Sequence, residues 1–427
     1  MPPSSAPSDA SRNGVSHACG VGLSDAFRST VFDSRRGSRE FEVVLVTMPS
    51  MGARWGVRTA APPWVVARVI VLGALGVSRE LVSDGRLTAK SAVTVHEGLL
   101  AWDAGWYEAI AKHGYGGAGA GSLRFFPLVP GLARALSEVP GIPVSAALLV
   151  VANLSALGAA AAIACLVRHE TGDAQLARRA AWLLCLAPPA FTFVMGYAEA
   201  TFVLVCIGAV FALRRRRWWT AAGLSVLAGL ARPFGGLLCL PALVECARSW
   251  YWVHPTSFAR PSSRWRRVGQ IAAIAGGPIG VGAFLAWCGW RYHDAFAPLS
   301  IQEEASHRGG PADPLRTLAH DASLLVHGQH LGTALHLPWV LLAIVLLVVA
   351  ALRWPSSYTV FAFAILAVAL TASNLDSFER YALSAFPLVV AAATVVRTPR
   401  QEMVLLVVAG AGLVCYSVLA FTGLYVP

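Results

Sequence analysis

Long apolar runs recur from residue 62 to the C-terminus, separated by short connections in which arginine is concentrated. A helix needs about 20 apolar residues to cross the hydrocarbon of a bilayer, and somewhat fewer where neighbouring protein shields it. On that ruler the spans are 62–78, 141–167, 180–195, 198–213, 218–231, 234–247, 270–290, 337–353, 358–373, 382–396 and 402–424. The expected class is therefore an all-α polytopic membrane protein with about eleven transmembrane helices. Composition agrees, because 13% charged residues against 56% hydrophobic is far from the soluble average of about a quarter charged. Several runs are short and carry Pro188, Pro189, Pro233, Pro278 or Pro387, so broken or half-length helices packed within protein are expected.

The formal net charge of +11 does not point to nucleic acid, because the basic residues lie in short segments between apolar runs, where positive charge fixes membrane orientation. Arg35, Arg36, Arg54 and Arg58 precede the first span. Arg178–Arg179, Arg214 to Arg217, Arg264 with Arg266 and Arg267, Arg353, and Arg397 with Arg400 then fill alternate connections. Those connections are expected in the cytoplasm. The others face outward: a large first outer loop over 79–140, then 195–198, the turn at Arg232, 291–336, 374–381 and the C-terminus. Localisation in the cytoplasmic membrane follows.

Residues 1–60 are polar and Pro/Ser-rich at their start and lack the apolar core of a signal peptide, so they read as a disordered cytoplasmic tail ahead of a membrane domain over 61–427. Met48 and Met51 stand just before the first span and mark an alternative start. The 8 cysteines show no paired spacing, and most lie inside apolar runs, which indicates neither a disulfide framework nor a zinc site.

With sidedness assigned, the polar residues that a membrane does not excuse fall on the outer side: Asp103, Arg124, the Tyr197–Glu199 turn, Arg232 and Glu379–Arg380. Ionisable groups at membrane depth are costly unless paired or facing a wet cavity, so their convergence marks a site. Each also has a plainer reading. Asp103 in WDAGWYEAIAKHGY (102–115) caps a short helix 104–113 that stops at Gly114, or it carries chemistry. Trp102, Trp106 and Ile110 form one stripe that would press that helix onto the bilayer surface. Arg124 in RFFPLVP (124–130) snorkels to headgroups or binds phosphate, and Glu199 in MGYAEATF (195–202) serves its own helix start or the site. Arg232 in GLARPFGGLL (229–238) and the Glu379–Arg380 pair in SFERYALSAFPLVV (377–390) are structural tethers or binders. The loop 291–336 holds six histidines, His327 and His330 among them, with Glu303, Glu304, Asp313 and Asp321 nearby. Their spacings match no zinc signature, so a solvated lid over the outer face is expected there and no metal site is assigned.

In order and spacing these five segments resemble the PIG-V-like mannosyltransferases of the GT-C class, over roughly 60–427. The Ala- and Arg-rich composition, with lysine only at Lys90 and Lys112, reads as a bacterial member. The resemblance implies a GT-C bundle and transfer of mannose from a polyprenyl-phosphate-mannose donor to a lipid or glycan acceptor, at the extracytoplasmic face and with no cofactor. It also implies a general base in the first outer loop, which falls on Asp103. Trp102, Trp106, Tyr107, Arg124, Tyr197, Glu199, Arg232, Glu379 and Arg380 are then expected to bind substrate, the arginines matching phosphate oxygens with paired donors. The partners are the bilayer, the donor and the acceptor. Three rival readings remain: a transferase of another polyprenyl-phosphate sugar, a lipid transporter or flippase, and a catalytically dead scaffold that binds polyprenyl phosphate.

Overall fold

The computed structural model describes residues 40–85, 89–251, 264–304, 309–327 and 336–425. The chain divides into Met1–Ser50, of which only a helical stretch over 40–50 is described, and Met51–Pro427, which holds all that follows.

Seventeen helices can be followed through the described residues: α1 Gly52–Ser83, α2 Ala89–Glu97, α3 Asp103–Ala118, α4 Leu128–Ser137, α5 Val144–Thr171 and α6 Ala174–Leu186, then α7 Glu199–Arg214, α8 Trp218–Ala231, α9 Cys239–Tyr251, α10 Arg264–Tyr292, α11 Ala297–Ser300 and α12 Pro314–Val326, then α13 His336–Arg353, α14 Ser356–Leu370, α15 Phe378–Ser384, α16 Pro387–Val395 and α17 Pro399–Phe421. Five of them, α1, α5, α10, α13 and α17, are long and apolar enough to cross a bilayer, and α15–α16 make a sixth if their 82° bend is taken within one span. The protein is a polytopic, all-helical membrane protein. Each of the eleven expected runs coincides with one of these helices or with a broken pair, but the remainder are only 13–16 residues long. Proline explains the shortness of two of them. Pro188–Phe193 and Pro233–Leu238 are 3-10 turns that each begin on proline, so one apolar run becomes a short α-helix plus a tight turn.

Two sequence expectations need correction here. The expected tail boundary at 60 falls inside the helical span Gly52–Ser83, where Ala60 is buried and Gly56 lies against Ala161 and Cys165 of α5. The stripe of α3 packs inward as well. Tyr107, Ile110 and Ala111 are buried in a cluster with residues of α4 and α5, so the helix is seated on protein rather than on a bilayer surface. Among the described residues of 291–336 the structure has α11, α12 and a β-bridge between Pro311 and Ala372; His307 and His330 lie outside the described residues.

The core is built from small residues. Along α5, Ala152, Ala156, Ala159, Ala160, Ile163 and Ala164 are buried, which lets helices approach closely where lipid supplies no hydrophobic drive between them. Glycines do the same between α8 and α10. A Cβ on Gly276 would meet the Ala222 carbonyl at 2.6 Å, and one on Gly280 would collide with the Val226 carbonyl. Outward faces carry apolar residues at helical spacing, such as Leu341, Val345, Val348 and Leu352 on α13, a surface that only an apolar solvent covers without penalty.

Three polar nodes fix the ends of the bundle. Arg68 of α1 donates to the Asn153 side chain at 2.8 Å and to the Phe193 carbonyl at 3.1 Å, while Asn153 donates to the Val194 carbonyl at 3.0 Å. This node sets the turn that leads into Tyr197–Glu199. At the other end of α7, roughly 22 Å from Glu199 at 1.5 Å per residue, Arg214 holds Glu170 through two 2.8 Å bonds and Glu245 at 3.0 Å. Arg179 donates to the carbonyls of Ala393 and Val396 and to Glu402 at 2.7 Å, tying α6 to α16 and α17. Arg179 and Arg214, read above as topology signals, are thus also packing anchors.

Candidate active site

The segment that carries Asp103 is shaped by strain. Trp102 precedes it at φ 62° and ψ −130°, a conformation that costs a residue with a side chain about 1–3 kcal/mol. The Trp102 indole donates to the Ala420 carbonyl at 2.9 Å, which anchors the turn to α17. Asp103 is the first residue of α3, and the residue at the cap is Trp102, which makes no side-chain capping bond. The capping reading therefore fails, and the carboxylate is free to reach across the bundle: Arg380 donates to its Oδ2 at 2.9 Å. The helix does not stop at Gly114 as expected: Gly114 is a kink at φ 69°, and the helix resumes to Ala118.

Around this contact the distant segments converge. Glu199, 2% exposed at the first turn of α7, accepts from Arg232 at 2.7 Å and from Arg380 at 3.2 Å. Arg380 also donates to Ser377 Oγ at 2.9 Å and lies 5.3 Å from the ring of Tyr197. The Tyr197 hydroxyl in turn accepts from the Asp103 amide at 3.3 Å. Ser377 holds φ 68°, a second strained residue set just before a site residue. Two carboxylates, Asp103 and Glu199, thus face two guanidiniums, Arg232 and Arg380, and the four formal charges cancel.

A cavity of about 310 Å³ opens on this cluster. Of the expected residues, Trp102, Asp103, Trp106, Tyr107, Arg124, Arg232 and Arg380 line it. Tyr197 and Glu199 do not line it; both are buried and bond to Asp103, Arg232 and Arg380, which do. Trp106 and Phe125 stack at 5.9 Å and form an aromatic wall. Burial first, then the nearby Glu199 charge, pushes the Tyr107 phenol well above its ordinary range, so it stays a neutral hydrogen-bonding group. Arg124 differs from the other two arginines. It lies over Phe125 at 4.8 Å, its Nε is buried with no hydrogen-bond partner, and among the described residues no carboxylate lies within 4 Å of it.

Glu379 departs from expectation. It makes no pair with Arg380 and does not line this cavity; its carboxylate takes His336 Nδ1 at 2.7 Å and the Tyr425 hydroxyl at 2.9 Å. Adjacent residues on α15 project to different sides, so a sequence neighbour is not a spatial one. Beyond His336 lies Asp376, which lines the cavity and went unnoticed in the sequence. Ser377, Gln302 and Phe234 are further lining residues that sequence reasoning passed over. The signal for Asp376 was its place in the outer connection 374–381, masked by the adjoining Glu-Arg pair.

Residues 75–253 match the family model described as Mannosyltransferase (PIG-V). The matched stretch contains Asp103, Arg124, Glu199 and Arg232, while Asp376 and Arg380 lie beyond it. The match supports a glycosyltransferase, and more narrowly a mannosyltransferase role, for this membrane protein. No curated protein and no solved structure matches the chain.

Proposed function

We propose that the protein transfers mannose from polyprenyl-phosphate-mannose to a lipid or glycan acceptor at the extracytoplasmic face of the cytoplasmic membrane, with inversion, and that Asp103 is the general base. The observation that carries this reading is the meeting of Asp103 from the first outer loop with Arg232 and Arg380 from 129 and 277 residues further on, at one cavity that Arg124 also lines.

The chemistry asks for two things. An acceptor hydroxyl is a poor nucleophile, and a carboxylate in hydrogen-bond reach takes its proton as attack on the anomeric carbon proceeds. The departing lipid phosphate needs positive charge, and no acid is required because phosphate is already a good leaving group. As the acceptor oxygen bonds to the anomeric carbon, the bond from that carbon to the phosphate oxygen breaks and its electron pair leaves with the phosphate. The acceptor proton goes to Asp103. Neutralising Asp103 removes one of the two carboxylates that hold Arg380, so the freed guanidinium charge is available to the phosphate at the moment it departs. Arg124, with no carboxylate partner, is the arginine suited to bind that phosphate beforehand.

The test is transfer from radiolabelled polyprenyl-phosphate sugars in membranes carrying the wild-type or the Asp103→Asn protein. Mannose transfer is expected from the wild type, with a loss of about 10²-fold or more in the variant at unchanged amounts of inserted protein. Near-normal turnover by Asp103→Asn would remove the base assignment. Preferential transfer of glucose or arabinose would reassign the donor.

A further inference from the structure

Asp376 is a second carboxylate of the cavity, and it is held from behind. Its Oδ2 accepts from the Asn374 side chain at 2.7 Å, and its Oδ1 lies 3.5 Å from His336 Nε2. The other imidazole nitrogen of His336 pairs with Glu379 at 2.7 Å, and Glu379 also takes the Tyr425 hydroxyl. A histidine gripped through one nitrogen presents the other in a fixed direction. The imidazole and the Asn374 amide hold the Asp376 carboxyl below the ordinary carboxylate range. An ionised carboxylate accepts at about four lone-pair sites, of which Asn374 and His336 occupy two. Asp376 remains 42% exposed, so the other sites are open toward the cavity it lines.

We propose that Asp376 clamps the sugar being transferred, accepting hydrogen bonds from one or two hydroxyls of the hexose ring, with His336 and Glu379 as positioning residues. Its negative charge repels the lipid phosphate, whose partners are the arginines, while hydroxyls are the donors that a carboxylate selects. The Trp106–Phe125 wall offers an apolar face on which the ring carbons can lie. A clamp of this kind distinguishes sugars by the placement of hydroxyls, which are the groups in which one hexose differs from another.

This rests on the proposed function, and the experiment separates the two. Wild-type and Asp376→Ala proteins are assayed with polyprenyl-phosphate-mannose and with donors lacking the hydroxyl at C2, C3, C4 or C6 in turn. For at least one deoxy donor the wild type is expected to lose about ten-fold or more in kcat/KM, and Asp376→Ala to show no further loss on that same donor, because the bond is already absent. His336→Ala is expected to weaken the same hydroxyl preference and no other. Asp376→Asn, which keeps the Asn374 contact, serves if the alanine variant does not fold, and is expected to show a reduced preference at the same position. Equal losses on every deoxy donor in wild type and variants would overturn the clamp while leaving the transferase reading intact. Absence of turnover by the wild type with any polyprenyl-phosphate sugar would overturn both.

Discussion

Each arginine around the cavity has a different balance, and substitutions should separate them. Arg232 shares the buried Glu199 with Arg380, so Arg232→Ala leaves two carboxylates facing one guanidinium. Stripping one partner from a buried ion pair costs about 3–5 kcal/mol, and the low end is expected because Arg380 still reaches Glu199. Removing Glu199 as well should recover part of that stability, measured as the thermal midpoint of the purified protein. Arg124→Ala orphans no carboxylate, so little stability should be lost beyond about 1 kcal/mol of contact with Phe125. Its effect should fall on donor binding instead, as a rise in KM of about ten-fold or more at lower cost in kcat. Ser377 offers a test of strain. Both glycine and alanine lose the Arg380 bond, but at φ 68° glycine relieves the backbone whereas alanine keeps the strain, so Ser377→Ala should be less stable than Ser377→Gly by about 1 kcal/mol.

Among the elements, the pairing of α8 with α10 places Arg232. Glycines stand where the two backbones come closest: Gly229 faces Gly277 and Val281, Gly276 faces Ala222, and Gly280 faces Val226. Any side chain at Gly280 meets backbone that has no flexible end to yield, so Gly280→Leu should force the helices apart and carry Arg232 with them. A fall in both thermal stability and transfer is expected, in contrast to Gly282→Leu on the same helix, where nothing lies within 4 Å of an added Cβ. Equal behaviour of the two variants would show that the close approach does not position the site.

For the molecule as a whole, the membrane orientation can be tested by labelling. With the native cysteines replaced, a cysteine at Lys112 on α3 should react with an impermeant maleimide on intact cells, and one at exposed Arg217 before α8 only after permeabilisation. Reversal of that pattern would place the cavity on the cytoplasmic side and end the proposal of an extracytoplasmic donor. The buried ion clusters at either end of α7 give this short helix a role unlike that of a plain span. It joins a site node at Glu199 to a packing node at Arg214.

The class of the protein, the location of its helices and most of the charged residues that line the cavity were legible in the sequence alone. Apolar runs can satisfy their backbone only as helices in lipid, and charged residues stranded between such runs have few reasons to be there. Asp103, Arg124, Arg232 and Arg380 were legible for that reason, as was the need for broken helices at Pro188 and Pro233. Partnership was decided only by the tertiary structure. Nothing local says that Arg380 turns to Asp103 while Glu379 turns to His336 and Tyr425, or that Asp376 reaches the cavity, because contacts between residues 43 to 277 positions apart depend on helix packing. The number of full crossings was likewise left to packing, since a run of apolar residues fixes neither where a proline breaks it nor how much protein surrounds it.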